Sequence, residues 1–318
     1  MSKKYNILLV LAALLCLALS ASAVTSPYVV VKQNAQTIKT RSEVKDHFKC
    51  RSITTFRGNS TTSQNRVAFA AFSPNKAPAA TNVKLPNLIG SVVNGPDIGI
   101  YSITENGLTP IKTNYTMNAA NGGAALDDKY ICCFMDQFGG SVYGAYYRVF
   151  DMSDWSLIEE NYNADFNLMA ECMTSDGNDI YGCFYNIDLS GYELGTMSLT
   201  PVKRTGTICS LAEPYSALAC DAEALYGIYG DGRLVKINKS TGEETILTNI
   251  GIVSHYLTSA AYDSKTGILY YASCTDAETA LYSIDFNNEY AVSKICDLQG
   301  EVCGMHIVAP LAEDGAPA

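Results

Sequence analysis

The sequence predicts an all-β fold built from four-stranded repeats, and three observations lead to this prediction. Segments with small residues, then Asp, then an apolar strand holding Tyr recur along the chain. Their anchor tyrosines Tyr130, Tyr181, Tyr226 and Tyr270 lie 51, 45 and 44 residues apart. No long helical period appears, and turn residues such as Gly230-Asp231-Gly232 separate short strands. A period of this length is typical of repeat architectures, because each repeat is one supersecondary unit.

Each anchor strand is followed by two further strands. The second strands are expected at Ala145–Asp151, Leu194–Leu199, Leu234–Asn238 and Leu281–Asp285, and the third at Trp155–Asn161, Pro201–Ile208, Glu244–Ile250 and Tyr290–Leu298. With the leading small-residue strand, each unit holds four strands in about 45 residues, which is the blade period of a β-propeller. Small residues suit the innermost strand, where blades crowd the central axis.

The two ends of the repeat region complement each other. The segments at Ile89–Val93, Ile98–Ile103 and Leu108–Lys112 fit strands two to four of a blade that lacks its first strand. The segment at Val302–Val308 fits a first strand with nothing after it. Together they predict a composite blade that closes the ring and leaves no open sheet edge. The count is then five blades, and six or seven remain open if residues 67–84 supply strands.

The N-terminal residues predict export. Lys3 and Lys4 precede an apolar stretch of about 13 residues, Ile7 to Leu19, and Ala21-Ser22-Ala23 fits a cleavage site. An uncleaved anchor is the alternative, but a bilayer span needs roughly 20 residues. We therefore expect a signal peptide at 1–23, a basic polar arm at 24–84, a propeller at 85–310 and a tail at 311–318. The mature protein is expected in the periplasm, at the cell surface or outside the cell, and not membrane-spanning.

Charge is distributed unevenly along the chain. The net charge is −10, yet residues 24–84 carry +8 and residues 85–318 carry −20. An acidic propeller is a poor partner for nucleic acid, since phosphate binding needs a basic face. It favours a cationic or neutral polar ligand instead. The arm is expected to fold onto the propeller, to reach an anionic surface, or to remain a solvated leader.

Ten cysteines remain after a signal peptide is removed, and they mostly fall within apolar strand patterns. Export permits disulfides, but buried small hydrophobic residues are the favoured interpretation. No C-x-x-C pair, phosphate-binding loop or dinucleotide fingerprint occurs. His255 and His306 could meet near the channel and, with an Asp or Cys303, hold a metal, but no spacing motif supports such a site. The sequence therefore predicts no cofactor and no metal.

The ligand-binding prediction rests on the connections from the last strand of one blade to the first strand of the next. Four of them carry an aromatic residue beside polar ones, and the predicted ligand-binding residues are Tyr115, Asp165, Phe166, Glu213, Tyr215, His255 and Tyr256. Aromatic faces with polar neighbours suit a glycan or a peptide. The alternative is that these rings pack between blades. The fifth connection, Leu298–Val302, lacks an aromatic residue.

Two middle loops and one recurring acid complete the candidates. The loops Met135–Gly144 and Asp188–Glu193 are expected to be long and to border a pocket. An Asp recurs once per repeat, and we expect these residues to cap turns after the inner strand. The recurring acids are Asp127, Asp176, Asp221 and Asp263.

The repeat segments resemble secreted β-propeller proteins of Bacteroidetes. The resemblance covers roughly residues 88–318 and is carried by IGIYSI, DGNDIYGCFY, ACDAEALYGIYGDGRLVKINKSTGE and SAAYDSKTGILYYASC. The tail from Ala309 is similar to the junction where such proteins continue into fibronectin type III domains. The resemblance implies a propeller that is associated with the cell surface, and it implies no particular activity.

Three classes of function follow from these expectations. The first is a non-catalytic binding or scaffolding protein with a glycan or peptide or protein ligand at the channel mouth. The alternative is a polysaccharide hydrolase or lyase that uses carboxylates in the channel. A structural spacer is the third. No catalytic residue is assigned, and the oligomeric state is left open.

Overall fold

The computed structural model describes residues 85–93, 95, 97–113, 120–138, 142–163, 169–186, 191–255 and 257–308. These residues form 20 β-strands and no helix, so the described part of the chain holds no helix that could cross a membrane. The predicted signal peptide at 1–23, the basic arm at 24–84 and the tail at 311–318 lie outside the described residues, and they stay predictions.

The strands follow one another with short connections. In chain order they are β1 (Leu88–Val93), β2 (Gly99–Thr104), β3 (Gly107–Thr113), β4 (Ala120–Leu126), β5 (Lys129–Phe138), β6 (Val142–Asp151), β7 (Leu157–Asn163), β8 (Met169–Ser175), β9 (Ile180–Asn186), β10 (Gly191–Leu199), β11 (Val202–Leu211), β12 (Ala217–Cys220), β13 (Ala224–Ile228), β14 (Arg233–Asn238), β15 (Glu244–Asn249), β16 (Ser259–Asp263), β17 (Ile268–Cys274), β18 (Thr279–Asp285), β19 (Ala291–Asp297) and β20 (Glu301–Ile307).

The strands form five four-stranded antiparallel sheets. The first blade is β20-β1-β2-β3, and the second to fifth are β4–β7, β8–β11, β12–β15 and β16–β19. The inner strands β4, β8, β12, β16 and β20 each contact the next, and β20 contacts β4. The protein is thus a five-bladed β-propeller, as the sequence predicted.

The first blade closes the ring with both ends of the repeat region. Strand β20 pairs with β1, and Val302 lies opposite Val92 while His306 lies opposite Ile89. The predicted composite blade is therefore confirmed. Its closure gives both terminal strands a hydrogen-bonded partner, so neither presents an open edge at this position.

Small residues on the inner strands allow the blades to approach closely. A Cβ atom placed on Gly304 would lie 2.6 Å from the Cα atom of Gly123 in the neighbouring inner strand. Gly304 also has a φ of 59°, a conformation that glycine adopts without a Cβ penalty. The Tyr130 hydroxyl donates a hydrogen bond to the Gly304 carbonyl at 2.7 Å. The anchor tyrosine of the second blade is thereby tied to the first blade.

The core lies between adjacent sheets. Between the third and fourth blades, for example, one buried cluster combines Tyr181, Leu194, Tyr215, Leu225 and Val235. Strands that pack on both faces bury nearly all of their side chains, as β5, β9 and β13 do where their side chains are described. This burial explains why the anchor strands are almost wholly apolar.

The predicted middle loop Met135–Gly144 was wrong in its extent. Strand β5 continues to Phe138 and β6 begins at Val142, and Gln137 pairs with Tyr143. The pairing between the two strands runs from Lys129 opposite Asp151 to Phe138 opposite Val142 without a register shift. Likewise, residues 191–193 of the second predicted loop belong to strand β10.

The described cysteines behave as small apolar residues. Seven of the nine are buried, whereas Cys209 and Cys296 are half-buried. Burial raises the pKa of Cys133 to about 11 and that of Cys220 to about 12. These two thiols are thus shielded from solvent and protonated at neutral pH. Because only the thiolate reacts readily, we expect them to be unreactive in the folded protein.

We expect iodoacetamide at pH 7.5 to modify only Cys209 and Cys296 among the described cysteines of the folded protein. In denaturant all nine should react, because burial no longer shields them. Peptide mass spectrometry of both samples measures this. Rapid modification of Cys133 or Cys220 in the folded state would contradict the packing described above.

Candidate functional site

The connections between strands alternate between the two ends of the ring, because successive strands are antiparallel. Connections from strand 2 to strand 3 and from strand 4 to the next blade lie at one end, which we call the upper end. Those from strand 1 to strand 2 and from strand 3 to strand 4 lie at the lower end. The described upper-end segments of the fourth and fifth blades are 212–216, 229–232, 250–255 and 275–278.

Three of the predicted ligand-binding residues lie in these segments. They are Glu213, Tyr215 and His255. The other four, Tyr115, Asp165, Phe166 and Tyr256, lie outside the described residues. Their part in an aromatic ring at the channel mouth therefore stays a prediction.

Tyr215 packs between blades. Its exposed fraction is 1%, and its ring centroid lies 5.0 Å from that of Tyr229. A Cβ on Gly227 would lie 2.7 Å from the Tyr215 ring, so this glycine leaves room for the ring. The Tyr215 and Tyr229 hydroxyls both donate to Glu244 Oε1. Burial and this hydrogen bond raise the pKa of Tyr215 far above its usual range.

Glu213 belongs to a charged cluster centred on Arg233. The guanidinium of Arg233 donates to Glu213 Oε1 and, through Nε, to Asp231 Oδ2 at 2.7 Å. It also lies over the ring of Tyr229, 4.2 Å from the centroid. Burial alone lowers the pKa of Arg233, but its hydrogen bonds to the two carboxylates raise it above its ordinary value. The arginine is therefore a fixed cation, stacked on an aromatic face.

Neighbouring loops hold this cluster in place. The amide of Ser254 donates to the Gly230 carbonyl at 3.0 Å, and the Asn249 side chain donates to the Asp231 carbonyl at 3.2 Å. Gly232, between Asp231 and Arg233, has a φ of 88°, a conformation that glycine adopts without a Cβ penalty. The connection after the fourth blade is thereby attached to the middle turn of the same blade.

His255 lies beside this cluster on the fifth blade. Its amide donates to the Cys274 carbonyl at 3.0 Å, and its Nε2 atom lies 3.5 Å from Asp276 Oδ2. The second histidine, His306, is in strand β20, where burial lowers its pKa to about 4. Within the described ranges no three His, Cys, Asp or Glu residues gather where a metal ion could be held.

The recurring aspartates cap turns, as predicted, at three of four positions. The Oδ1 atoms of Asp176, Asp221 and Asp263 accept hydrogen bonds from backbone amides two or three residues further along the chain. Asp127 differs, because it occupies a two-residue turn with a φ of 55°. The Oδ1 atom of each of the other three residues is therefore occupied within its own turn.

Five carboxyl groups in the described part of the chain have pKa values below their ordinary values. Hydrogen bonds from amides, hydroxyls and lysines outweigh burial and lower the pKa values of Asp151, Asp154, Asp176, Asp221 and Glu278. A general acid for glycoside hydrolysis needs a raised pKa. These five carboxylates are therefore charged acceptors of hydrogen bonds.

Sequence reasoning missed Tyr229 and Arg233. Gly230-Asp231-Gly232 predicts only a turn, although the segment from Tyr229 to Arg233 places an aromatic residue, an acid and a cation within five residues. Such a combination in the connection between two middle strands is the sequence signal that could have identified these residues as part of a site.

Comparisons with known proteins add no function. No family model matches the chain, and no curated protein sequence matches it. A solved nidogen/laminin complex chain is similar at 12% identity over 69% of this chain and 97% of that chain, with a TM-score of 0.41. A Bacteroides thetaiotaomicron protein of unknown function is similar at 12% identity and a TM-score of 0.41 over 65% of this chain and 49%, or about half, of its own. Glutaminyl cyclase of Myxococcus xanthus is similar at 15% identity over 59% and 70% of the two chains, with a TM-score of 0.38.

Proposed function

We propose that this chain is an exported, non-catalytic binding or scaffolding protein. Its ligand, a glycan or a peptide, binds at the upper end of the propeller. The observation that carries the proposal is the Arg233 cluster, in which a stacked guanidinium is held between Glu213 and Asp231. A preorganised group loses little conformational entropy on binding, and for this reason such clusters suit recognition.

The cluster is accessible from solvent. The side chains of Arg233, Glu213 and Asp231 are 29%, 39% and 52% exposed. With one cation and two anions, it carries a net negative charge, like the propeller as a whole. It therefore favours a neutral polar or cationic ligand over an anionic one.

A thermal-shift screen of glycans and peptides tests this proposal. A ligand that binds only the folded protein stabilises it by about 2.7 kcal/mol at 100 times its Kd. For a ligand found in this way, we expect Arg233→Ala to raise the Kd at least tenfold. The variants Tyr115→Ala, Phe166→Ala and Tyr256→Ala test the predicted aromatic ring at the same time.

Arg148→Ala is the matched control. Arg148 also pairs with a carboxylate, that of Glu160, and lies 5.2 Å from the Tyr146 ring centroid, but it is on strand β6 away from the upper-end loops of the fourth blade. Its removal should leave the Kd within twofold. Equal effects of both arginine variants would refute the assignment, and turnover of a polysaccharide would favour the hydrolase or lyase alternative.

A further inference from the structure

The lower end of the ring holds a lysine between the third and fourth blades. Lys239, in the turn from strand 3 to strand 4 of the fourth blade, donates to Asp176 Oδ2 at 2.5 Å. It also donates to the carbonyls of Asp221 and Ala222 at 2.6 and 3.1 Å. Its ammonium lies 5.2 Å from the Tyr181 ring centroid. An anchor tyrosine and its capping aspartate thus form a binding site for an ammonium group.

The next junction repeats the tyrosine and the aspartate. Between the fourth and fifth blades, the Tyr226 hydroxyl donates to Asp221 Oδ2 at 2.8 Å. The Asp221 Oδ1 atom accepts the amides of Glu223 and Ala224 at 2.8 Å each. This is the arrangement of Tyr181 and Asp176, moved by one blade.

The lysine is not repeated. Strand β14 ends at Asn238, whose side chain accepts the amide of Ser240, and strand β18 ends at Asp285, whose side chain accepts the amide of Asn287. The residue after each strand end is Lys239 in the first case and Phe286 in the second. Among the described residues, no cationic side chain lies within ion-pair distance of the Asp221 carboxylate, although the charge of Lys239, whose ammonium donates to the Asp221 carbonyl, helps to lower its pKa.

An aromatic cluster extends from Tyr226, whose hydroxyl donates to this carboxylate. The Phe286 ring lies 5.0 Å from Tyr226, 4.9 Å from Tyr262 and 5.1 Å from Tyr290, measured between centroids. The rings of Tyr262, Phe286 and Tyr290 are half-buried and so reach solvent. Burial, then the charges of Asp221 and Asp263, raise the pKa of Tyr262.

We propose that this surface, formed by Asp221, Tyr226, Tyr262, Phe286 and Tyr290, binds a lysine side chain of a peptide segment from another protein. The ammonium is accepted by Asp221 Oδ2, as Lys239 is accepted by Asp176. The apolar stem of the lysine lies across the exposed ring faces, which suits its four methylene groups and its charge. We name it the Asp221 surface.

Charge complementarity selects this ligand. The exposed residues next to the rings include Glu223 and Glu289, and the acidic propeller attracts cations in general. A compact ammonium matches the geometry seen at Lys239. A planar guanidinium binds a carboxylate best through two parallel hydrogen bonds, so the surface favours lysine over arginine. The surface is at the lower end, opposite the Arg233 cluster, so this inference goes beyond the proposed function.

Phage display of random heptapeptides on the full chain tests the proposal, with Phe286→Lys as the counter-selection. That variant places a lysine where Lys239 stands in the preceding junction, so its own ammonium fills the site. We expect lysine to be enriched at one position of the peptides that bind the wild-type protein and not the variant.

The Kd of a selected peptide, measured by fluorescence anisotropy, provides the second readout. It should rise at least tenfold with Asp221→Asn, with Phe286→Lys, and when the lysine of the peptide is acetylated. Asp151→Asn is the matched control, since Asp151 caps a lower-end turn of the second blade, and it should leave the Kd unchanged. Enrichment of another residue type, or equal binding to the Phe286→Lys variant, would overturn the proposal.

Discussion

We expect Lys239→Met to lower the free energy of unfolding by about 3 kcal/mol, the cost of breaking a buried ion pair on one side. The side chains of Lys239 and Asp176 are only 12% and 8% exposed, so water cannot replace the lost partner. All three protons of the ammonium are used, on Asp176, Asp221 and Ala222. The variant thus removes a contact that joins the third blade to the fourth.

Urea unfolding at pH 7 measures this loss, and a double-mutant cycle isolates the pair. Asp176→Asn keeps an acceptor for the turn amides but removes the charge. The double variant should be more stable than the sum of the two single losses implies, by more than about 1 kcal/mol. Additive losses would mean that the two side chains do not interact.

The same pair makes stability depend on pH. Burial opposes ionisation of Asp176, but Lys239 and the amides of Asp179 and Asn178 lower its pKa below the ordinary value. A carboxyl group with a lowered pKa stabilises the folded state above its unfolded pKa, about 3.9, and the effect disappears as the pH falls through the folded value. The difference between wild type and Lys239→Met should therefore be full at pH 7 and shrink below about pH 4.

The second large effect is expected for Gly304→Ala, with a loss of about 3 kcal/mol. A left-handed conformation costs a non-glycine residue about 1–2 kcal/mol, and overpacking adds about 1–3 kcal/mol. The new methyl group would lie 2.6 Å from the Gly123 Cα atom and 2.7 Å from the Tyr130 hydroxyl. Neither the Gly304 backbone nor the Gly123 backbone can move freely, because both residues belong to the ring of inner strands.

Gly251→Ala is the control for the conformational part alone. Gly251 has a φ of 72°, and no atom lies within 4 Å of the position its Cβ would take. Its substitution should cost only the conformational part, about 1–2 kcal/mol. Urea unfolding of both variants separates the two contributions, and equal losses would contradict the close approach of the first and second blades.

The sequence predicted the architecture well because each blade follows local rules. Alternating strands, turn residues and the repeated Asp-to-Tyr spacing are readable within 45 residues, and so the composite blade at Val302–Val308 was placed correctly. The middle connection after Met135 was misjudged, because polar and glycine residues there do not show whether a backbone ladder continues. The length of strands β5 and β6 is set by backbone hydrogen bonds between them, and these bonds do not depend on the identity of the side chains.

The candidate site was less predictable, because its contacts join distant parts of the chain. Glu213 meets Arg233 only once two connections of the upper end are folded together, and Lys239 meets Asp176 across 63 residues. Tyr215 was predicted to bind a ligand, but it is buried. Its place beside a polar residue suggested a binding ring, yet the space above Gly227 accommodates it between blades.

Photo-crosslinking tests most directly whether the upper end of the propeller is the binding end. A ligand from the thermal-shift screen that keeps its affinity for the Phe286→Lys variant would carry a diazirine, and mass spectrometry would locate the modified residues. The account predicts crosslinks within residues 212–216, 229–233 and 250–258. Crosslinks confined to the outer strands, such as β15 and β19, or to the lower-end turns would contradict it.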